Sequence, residues 1–555
     1  MNKHLHFYIS IFFLVIISTF SYSQVNLEWA KMYNGSGNAY DEATGIAIDG
    51  SGNIYITGGS RGSGTNLDYS TIKYDPSGNV IWNSRYAGPG NGDDDAYHII
   101  LDNSGNVYVT GASTGEGTGY DYCVVKYNSS GVQQWAARYN GPANGNDEIY
   151  GIAVNSSTGD VYVTGYSTGT GTLSDICTVK YNSSGVQQWV VRLNGTANDD
   201  DYGNSMVMDA LGNIYVTGGL TSADNDMDYV TIKYNPDGQQ QWIKYYDGAG
   251  HGFDLASHNA IDANGNIYVA GYVKGISNSD YCTIKYNSSG VQQWAAIYNG
   301  TGNGVDEEYT VVVDNAGNCY VTGNSSGAGT GDDYCTIKYN SNGVQQWIAR
   351  YNGEAANDDY ANYLAVDNSG NVYVTGESWK DGSNFDIITL RYNSDGQQQW
   401  ETRYNGTGNE YDNANFLALN GNSIYVTGGS DNNANTDFIT IKYNQLIGIK
   451  NISSNVPDKF ELKQNYPNPF NPATKIRFSV SPFEGGKGDV KLVIFNILGK
   501  EVQTLVNEQL APGTYEVDWN ASNFPSGVYY YRLTARQAGA STGDFSETKK
   551  MILVK

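Results

Sequence analysis

Carboxylates dominate the side chains of this chain that are able to do chemistry. In 555 residues, 57 Asp and Glu stand against 32 Lys and Arg, five His and five Cys. No Ser/His/Asp or Cys/His set occurs at a nucleophile-and-base spacing. Acidic pairs are too abundant to mark the two-carboxylate pattern of a glycosidase. Order emerges in columns instead. Asp41, Asp94, Asp147, Asp200, Asp254, Asp306, Asp359 and Asp412 recur in step, and so do Asp68, Asp121, Asp175, Asp228, Asp280, Asp333, Asp386 and Asp437. Carboxylates and carbonyls on polar loops are hard oxygen ligands, so the first column is a candidate Ca2+ site. A carboxylate present in every copy also fits a purely architectural role, accepting loop backbone N–H groups. No EF-hand loop supports calcium: the Asp-x-Asn-Gly-Asn string at Asp262 has its Gly too early.

A second set of positions does not repeat. Gly45, His98, Gly151, Ser205, His258, Thr310, Tyr363 and Phe416 occupy one column, preceded by Thr44, Tyr97, Tyr150, Asn204, Ser257, Tyr309, Asn362 and Asn415. Where architecture leaves a choice open, the choice is available to shape a ligand pocket. Tyr97, His98, Tyr150, His258, Tyr309 and Tyr363 are the candidate binding groups. Drift at an unimportant rim is the alternative. His98 and His258 are too few and too isolated for a three-ligand metal site.

The elements that hold these columns follow from eight tryptophans, Trp29, Trp82, Trp135, Trp189, Trp242, Trp294, Trp347 and Trp400, spaced 52 to 54 residues apart. A fixed period of that size means one supersecondary unit copied many times. Each copy holds four runs with period-2 alternation, in the third copy Val132–Tyr139, Tyr150–Val154, Asp160–Gly165 and Asp175–Tyr181. Four antiparallel strands per copy is the arithmetic of a β-propeller blade. The first copy begins at its Trp strand and the last ends without one. The N-terminal strand therefore completes the last blade, giving an all-β, eight-bladed ring over residues 24–445 with the Ile-Ala-Val-Asp strand innermost. Seven blades plus a stray unit would leave an edge strand unpaired. The long loops rich in Gly, Asn and Asp fall on one face and the tight Asp-x-x-Gly-Asn hairpin turns on the other, which puts the candidate site on the long-loop face.

The formal net charge is −25, and it is unevenly placed. From Lys450 onward there are 13 basic and 10 acidic residues. Residues 24–449 hold 18 basic and 47 acidic, a balance of −29. So acidic a body repels nucleic acid and anionic lipid and favours cationic or neutral partners. Lys3, the apolar run Phe7–Phe20 and Ser21-Tyr22-Ser23 read as a signal peptide over residues 1–23, and no other segment is apolar enough to span a membrane. The five cysteines fall in columns held elsewhere by Ser, Val or Ile, which reads as small buried hydrophobes rather than disulfides.

The string Asp102-Asn-Ser-Gly-Asn-Val-Tyr-Val-Thr-Gly111 and its copy at Asp367–Gly376 resemble the SBBP β-propeller repeat of exported bacterial proteins. That resemblance covers about 420 residues and bears on fold, not activity. After a linker (446–463), residues 464–555 carry short strand-like runs: Lys475–Val480, Val490–Phe495, Thr514–Trp519, Gly527–Leu533 and Thr548–Val554. They suggest a small Ig-like β-sandwich, with an extra loop at 483–488. Here Asn465-Tyr466-Pro467-Asn468-Pro469-Phe470-Asn471-Pro472, Phe495–Gly499, Ser526-Gly527-Val528-Tyr529 and the terminal Thr548-Lys549-Lys550 resemble the type A C-terminal sorting domain of the type IX secretion system. The resemblance implies export to the cell surface, with the secretion machinery and its sortase as partners. The leading functional expectation is a non-catalytic binding or adhesion module for a glycan or protein ligand. The rivals are a polysaccharide- or lactone-acting enzyme using channel carboxylates, and a calcium-stiffened surface spacer.

Overall fold

Alternation of β-branched and aromatic residues with small polar ones builds thirty-two short strands between Val25 and Gln445, and they pair into eight four-stranded antiparallel sheets. The computed structural model describes residues 25–555 except 65, 91, 224–225, 355, 383, 446–449, 454, 483–487, 522–523 and 538–544. The expected signal segment and nearly all of the 483–488 loop lie outside the described residues. The inner strands of blades 1 to 8 are Asp41–Ile48, Asp94–Leu101, Asp147–Val154, Tyr202–Met208, Leu255–Ile261, Asp306–Val313, Asp359–Val366 and Asp412–Asn420. Strand order runs outward from these to the tryptophan strand, as expected.

Closure is explicit. Val25–Tyr33 pairs antiparallel with Thr436–Gln445, from Val25 opposite Gln445 to Tyr33 opposite Phe438, and so supplies the outer strand of blade 8. Eight apolar cores then fill the eight gaps between neighbouring blades, the last joining Ile54, Ile56 and Ile72 of blade 1 to Tyr425 and Phe438 of blade 8. The sheet edge that an open array would expose is gone. The seam leaves one mark. Seven tryptophans each donate an indole N–H to a turn carbonyl of the following blade, for example Trp82 to Ser129 at 3.2 Å and Trp135 to Ser183 at 3.1 Å. Blade 8 has no such turn, because its outer strand is Val25–Tyr33 from the other end of the repeat array, and the buried Trp400 Nε1 finds no partner.

The repeat motif is explained residue by residue. In the turn after the second inner strand, Asp102 Oδ1 accepts the N–H groups of Ser104 and Asn106, both at 2.9 Å. Its Oδ2 takes the Asn106 amide at 2.7 Å and the Tyr108 hydroxyl at 3.1 Å. Gly105 occupies the left-handed region (φ 76°) that closes the hairpin. The glycine ending each Thr-Gly pair has a different cause. Every inner strand carries a β-bulge, seen in blade 2 as a register shift between Ala96 and His98. The bulge presses the strand onto its neighbour so closely that a Cβ on Gly111 would collide with the Asp95 carbonyl. All five cysteines are free and buried.

Residues from Leu446 onward form a separate unit. Its two four-stranded sheets enclose one core around Trp519, Phe478, Leu492, Tyr531 and Met551, the expected sandwich. Two pieces of the expected linker are strands: Lys450–Ser453 pairs with Gly513–Asn520, and Glu461–Leu462 with Ala473–Val480. The unforeseen strand Glu501–Leu510 borders Gly488–Phe495. Phe470 is buried and its ring lies 5.4 Å from that of Trp519, while its N–H and carbonyl bond to Ile552 and Val554 of the final strand segment. Tyr529 is buried with its hydroxyl on the Pro525 carbonyl, whereas Tyr466 and Lys550 stand exposed.

Candidate functional site

The bulge decides where the candidate residues go. In every blade the bulged residue is the one named above as preceding the variable column: Thr44, Tyr97, Tyr150, Asn204, Ser257, Tyr309, Asn362 and Asn415. A bulged residue leaves the ladder and its side chain is re-aimed. Where that residue is Asn or Thr, it stitches its blade to the next. Asn204, Asn362 and Asn415 donate to the carbonyls of Ala256, Ala414 and Ala43 at 2.9–3.0 Å, and Thr44 donates to that of Ala96. Half of this column is therefore fixed by architecture, contrary to expectation. Tyr97, Tyr150 and Tyr309 make no such stitch and present rings instead.

A cavity of about 560 Å³ runs down the ring's centre, and His98, Tyr150, His258, Tyr309 and Tyr363 all line it. Tyr97 does not line it but stacks on Tyr150, with centroids 6.1 Å apart and planes at 25°. Deeper in the wall, Tyr363 packs on Phe416 at 4.8 Å and Phe416 meets the His98 ring at 6.4 Å, across the notch left by Gly45. Burial pushes His98 and His258 down to about 4, with the like charge of His258 contributing at His98. Both imidazoles are neutral at neutral pH. His258 Nδ1 is enclosed without a hydrogen-bond partner.

At the long-loop opening, tyrosines and carboxylates gather in a pattern visible only once blades are side by side. Tyr97, Tyr150, Tyr166 and Tyr202 come from blades 2, 3 and 4, with successive centroids 6.1, 5.9 and 5.7 Å apart. The hydroxyls of Tyr166, Tyr150 and Tyr97 point at the Glu148 carboxylate from 2.6, 3.0 and 3.4 Å. Across the ring, Glu377 takes the Asn362 amide at 2.7 Å and the Tyr411 hydroxyl at 3.2 Å, beside the packed rings of Tyr360, Trp379, Phe385 and Tyr411. Between them, Glu307 holds the Tyr309 hydroxyl at 2.7 Å. Burial, then the charges of Glu42, Asp93 and Glu148, raise Asp95 to about 7. Burial raises Glu377 to about 7 as well.

The first aspartate column sits elsewhere and does something else. Seven of its eight carboxylates are buried and clasp the incoming loop. Asp41 accepts Gly35 N–H at 2.6 Å and Arg61 N–H at 2.8 Å; Asp147 accepts Gly141 at 2.6 Å and Thr168 at 3.1 Å; Asp254, Asp306 and Asp412 repeat the arrangement. Asp94 and Asp359 take the N–H groups of Gly88 and Gly353 at 2.6 Å. In blade 4 the clasping residue is Asp201, bonded to Gly195 and Thr221 at 2.5 and 2.7 Å, and not Asp200. Asp200 is half-buried and accepts the Ser174 N–H at 3.2 Å. The signal that separates them is a glycine six residues earlier in all eight copies, where a Cβ at Gly35 would collide with the loop and the Asp41 carboxylate. Backbone donors thus account for the column's eightfold recurrence.

The second column is neutralised in five blades. Arg85, Arg138, Arg192, Arg350 and Arg403 pair with Asp68, Asp121, Asp175, Asp333 and Asp386 at 2.6–3.1 Å. In blade 4 Tyr245 replaces the arginine, and burial with Asp247 and Asp226 nearby raises Asp228 to about 6. Among the described residues, Asp228, Asp247 and Asp254 bring ligand oxygens within 4.8 Å of one another. His251 bonds to Asp247 at 2.7 Å on the same loop.

Two family models match. The β-propeller repeat model SBBP covers residues 83–117, 188–219 and 346–383, and the secretion system C-terminal sorting domain covers 464–552. The chain carries SBBP propeller repeats and a type IX secretion sorting domain. It is a secreted or cell-surface protein, and among the described residues no helix is long and apolar enough to cross a membrane. No curated protein matches the chain. Solved structures similar to this SBBP-repeat protein include the extracellular domain of BT3049 from B. thetaiotaomicron, named as a hybrid two component system. It is 11% identical with a TM-score of 0.36, and the match covers 94% of this chain and 57% of that one. A fungal alcohol oxidase of the AA5 family is 15% identical (82% and 96% covered, TM-score 0.36), and the polysaccharide lyase Uly1 is 9% identical (73% and 90%, TM-score 0.35).

Proposed function

We propose that this protein is a non-catalytic surface module that holds a glycan across the long-loop mouth of its channel. The supporting observation is the run of half-buried rings Tyr97, Tyr150, Tyr166 and Tyr202 curving round Glu148. A sugar offers an apolar C–H face and a belt of hydroxyls. Tyrosine rings suit the first, and carboxylates already facing hydroxyl donors suit the second. The type IX machinery delivers the module, and its sortase is the further partner we propose. Isothermal titration of the mature chain with glycans selected on an array tests the reading. Tyr150→Ala should weaken binding by about 1–2 kcal/mol, roughly tenfold. Unchanged affinity in Tyr150→Ala and Tyr97→Ala would remove the mouth as the site. A second reading, an enzyme acting on polysaccharide, draws support from Asp95: it holds its proton near neutral pH beside Glu42 and Glu148, as a general acid beside a carboxylate does. Turnover of a polysaccharide abolished by Asp95→Asn would favour it.

A further inference from the structure

The charge pattern of the mouth names the ligand's class, and this step rests on the reading just given. None of the sixteen loops on the long-loop face contains a lysine or an arginine. The eighteen basic residues of the propeller all lie on strands. Five are the arginines clamped to the second aspartate column. Another seven are lysines such as Lys73, Lys126 and Lys285, at the opposite ends of the third strands, with their ammonium groups 4.7–5.7 Å from a tyrosine centroid. Meanwhile Glu42, Asp95, Glu148, Glu307 and Glu377 line the opening, and no described lysine or arginine approaches any of them within 4.0 Å. Their hydrogen-bond partners are neutral: tyrosine hydroxyls and the amides of Asn362, Asn413 and Asn415. Arg61 and Lys380, at the long-loop ends of their second strands, pair with Asp93 and Glu354 instead, so among the described residues the five carboxylates at this opening are left without an ion-pair partner.

We infer that the mouth takes a saccharide chain bearing free amino groups. Glu148 stands among Tyr97, Tyr150 and Tyr166, Glu307 beside Tyr309 and Glu377 beside Tyr411, so an ammonium there meets a counter-charge while the sugar ring stacks on a neighbouring tyrosine. A neutral glycan would leave Glu42, Glu148 and Glu307 without a counter-charge, and an anionic one would be repelled. The elevated proton affinities of Asp95 and Glu377 fit a site whose cation arrives with the ligand.

The test compares three probes on the mature chain by calorimetry: a glucosamine hexamer, the N-acetylglucosamine hexamer and hexalysine. The glucosamine hexamer should bind at least tenfold more tightly than its acetylated twin. That advantage should shrink several-fold for Glu148→Gln or Glu377→Gln, variants whose melting points report intact folding, and fall between 50 and 500 mM NaCl. Equal affinity for both hexamers would overturn the charge inference and leave glycan binding standing. Hexalysine binding as tightly as the glucosamine hexamer would overturn the saccharide assignment. Failure of all three would remove the inference together with the glycan reading beneath it.

Discussion

The clasp made by Asp41 gives the sharpest quantitative test of the scaffold. Its carboxylate is fully buried, and its two oxygens hold the N–H groups of Gly35 and Arg61. Asp41→Ala strands both donors without water, at about 1–3 kcal/mol each, so about 2–6 kcal/mol in all. The contrast is Asp200→Ala, where a half-buried side chain gives up solvent-accessible bonds such as that from Ser174 at 3.2 Å and about 0.5–1.5 kcal/mol. Urea unfolding followed by tryptophan fluorescence measures both. With an m-value above about 3 kcal/mol per molar for a body of this size, the Asp41→Ala midpoint drops by roughly 0.5–1.5 M and that of Asp200→Ala by a few tenths. Because the clasp uses backbone donors, the Asp41→Ala loss should be the same in calcium and in chelator. An Asp200→Ala loss equal to or larger than that of Asp41→Ala, or a calcium-dependent loss at Asp41, would refute the reasoning.

Other outcomes follow from single positions. Glu308 is fully buried between blades where sister copies place Ala, Gly or Ile, and burial raises its carboxyl well above 4.5, with only the Thr283 hydroxyl bonded to it. A raised folded-state value means stability is fully present below about pH 4.5 and falls as pH rises toward that value, by about 1.4 kcal/mol per unit. Glu308→Gln should abolish that slope, read from urea midpoints at pH 5 and 7. Tyr245→Arg should restore the missing partner of Asp228, lowering its proton affinity from about 6 and adding up to about 1 kcal/mol at pH 7; NMR titration of Asp228 reads the shift directly. Removing Arg138 leaves Asp121 buried and unpaired, so Arg138→Ala should cost about 3–5 kcal/mol in the same urea assay.

The ring was legible because its signal is a period. Eight tryptophans and a repeat array whose first copy opens on its outer strand already dictate closure, and the Tyr466–Pro472 segment marks the C-terminal module. Asp200 shows how reading by residue type slips. Three aspartates stand in a row at 199–201, and only the glycine spacing from Gly195 identifies the one that clasps. The bulge was invisible for a physical reason: register is set between strands, and no property of Tyr150 alone says that it leaves the ladder. The Glu148 and Glu377 stations were missed because their members sit on different blades, Tyr97 lying 51 residues from the carboxylate it faces. The strands at Lys450–Ser453 and Glu461–Leu462 are too short for an alternation signal to register.

The most direct measurement is a crystal structure of the mature protein with an amino-oligosaccharide bound. Sugar rings stacked on Tyr150, with an amino group on Glu148 or Glu377, are what the account predicts. A ligand seated on the outer strands, on the tight-turn face or on the C-terminal sandwich would contradict it.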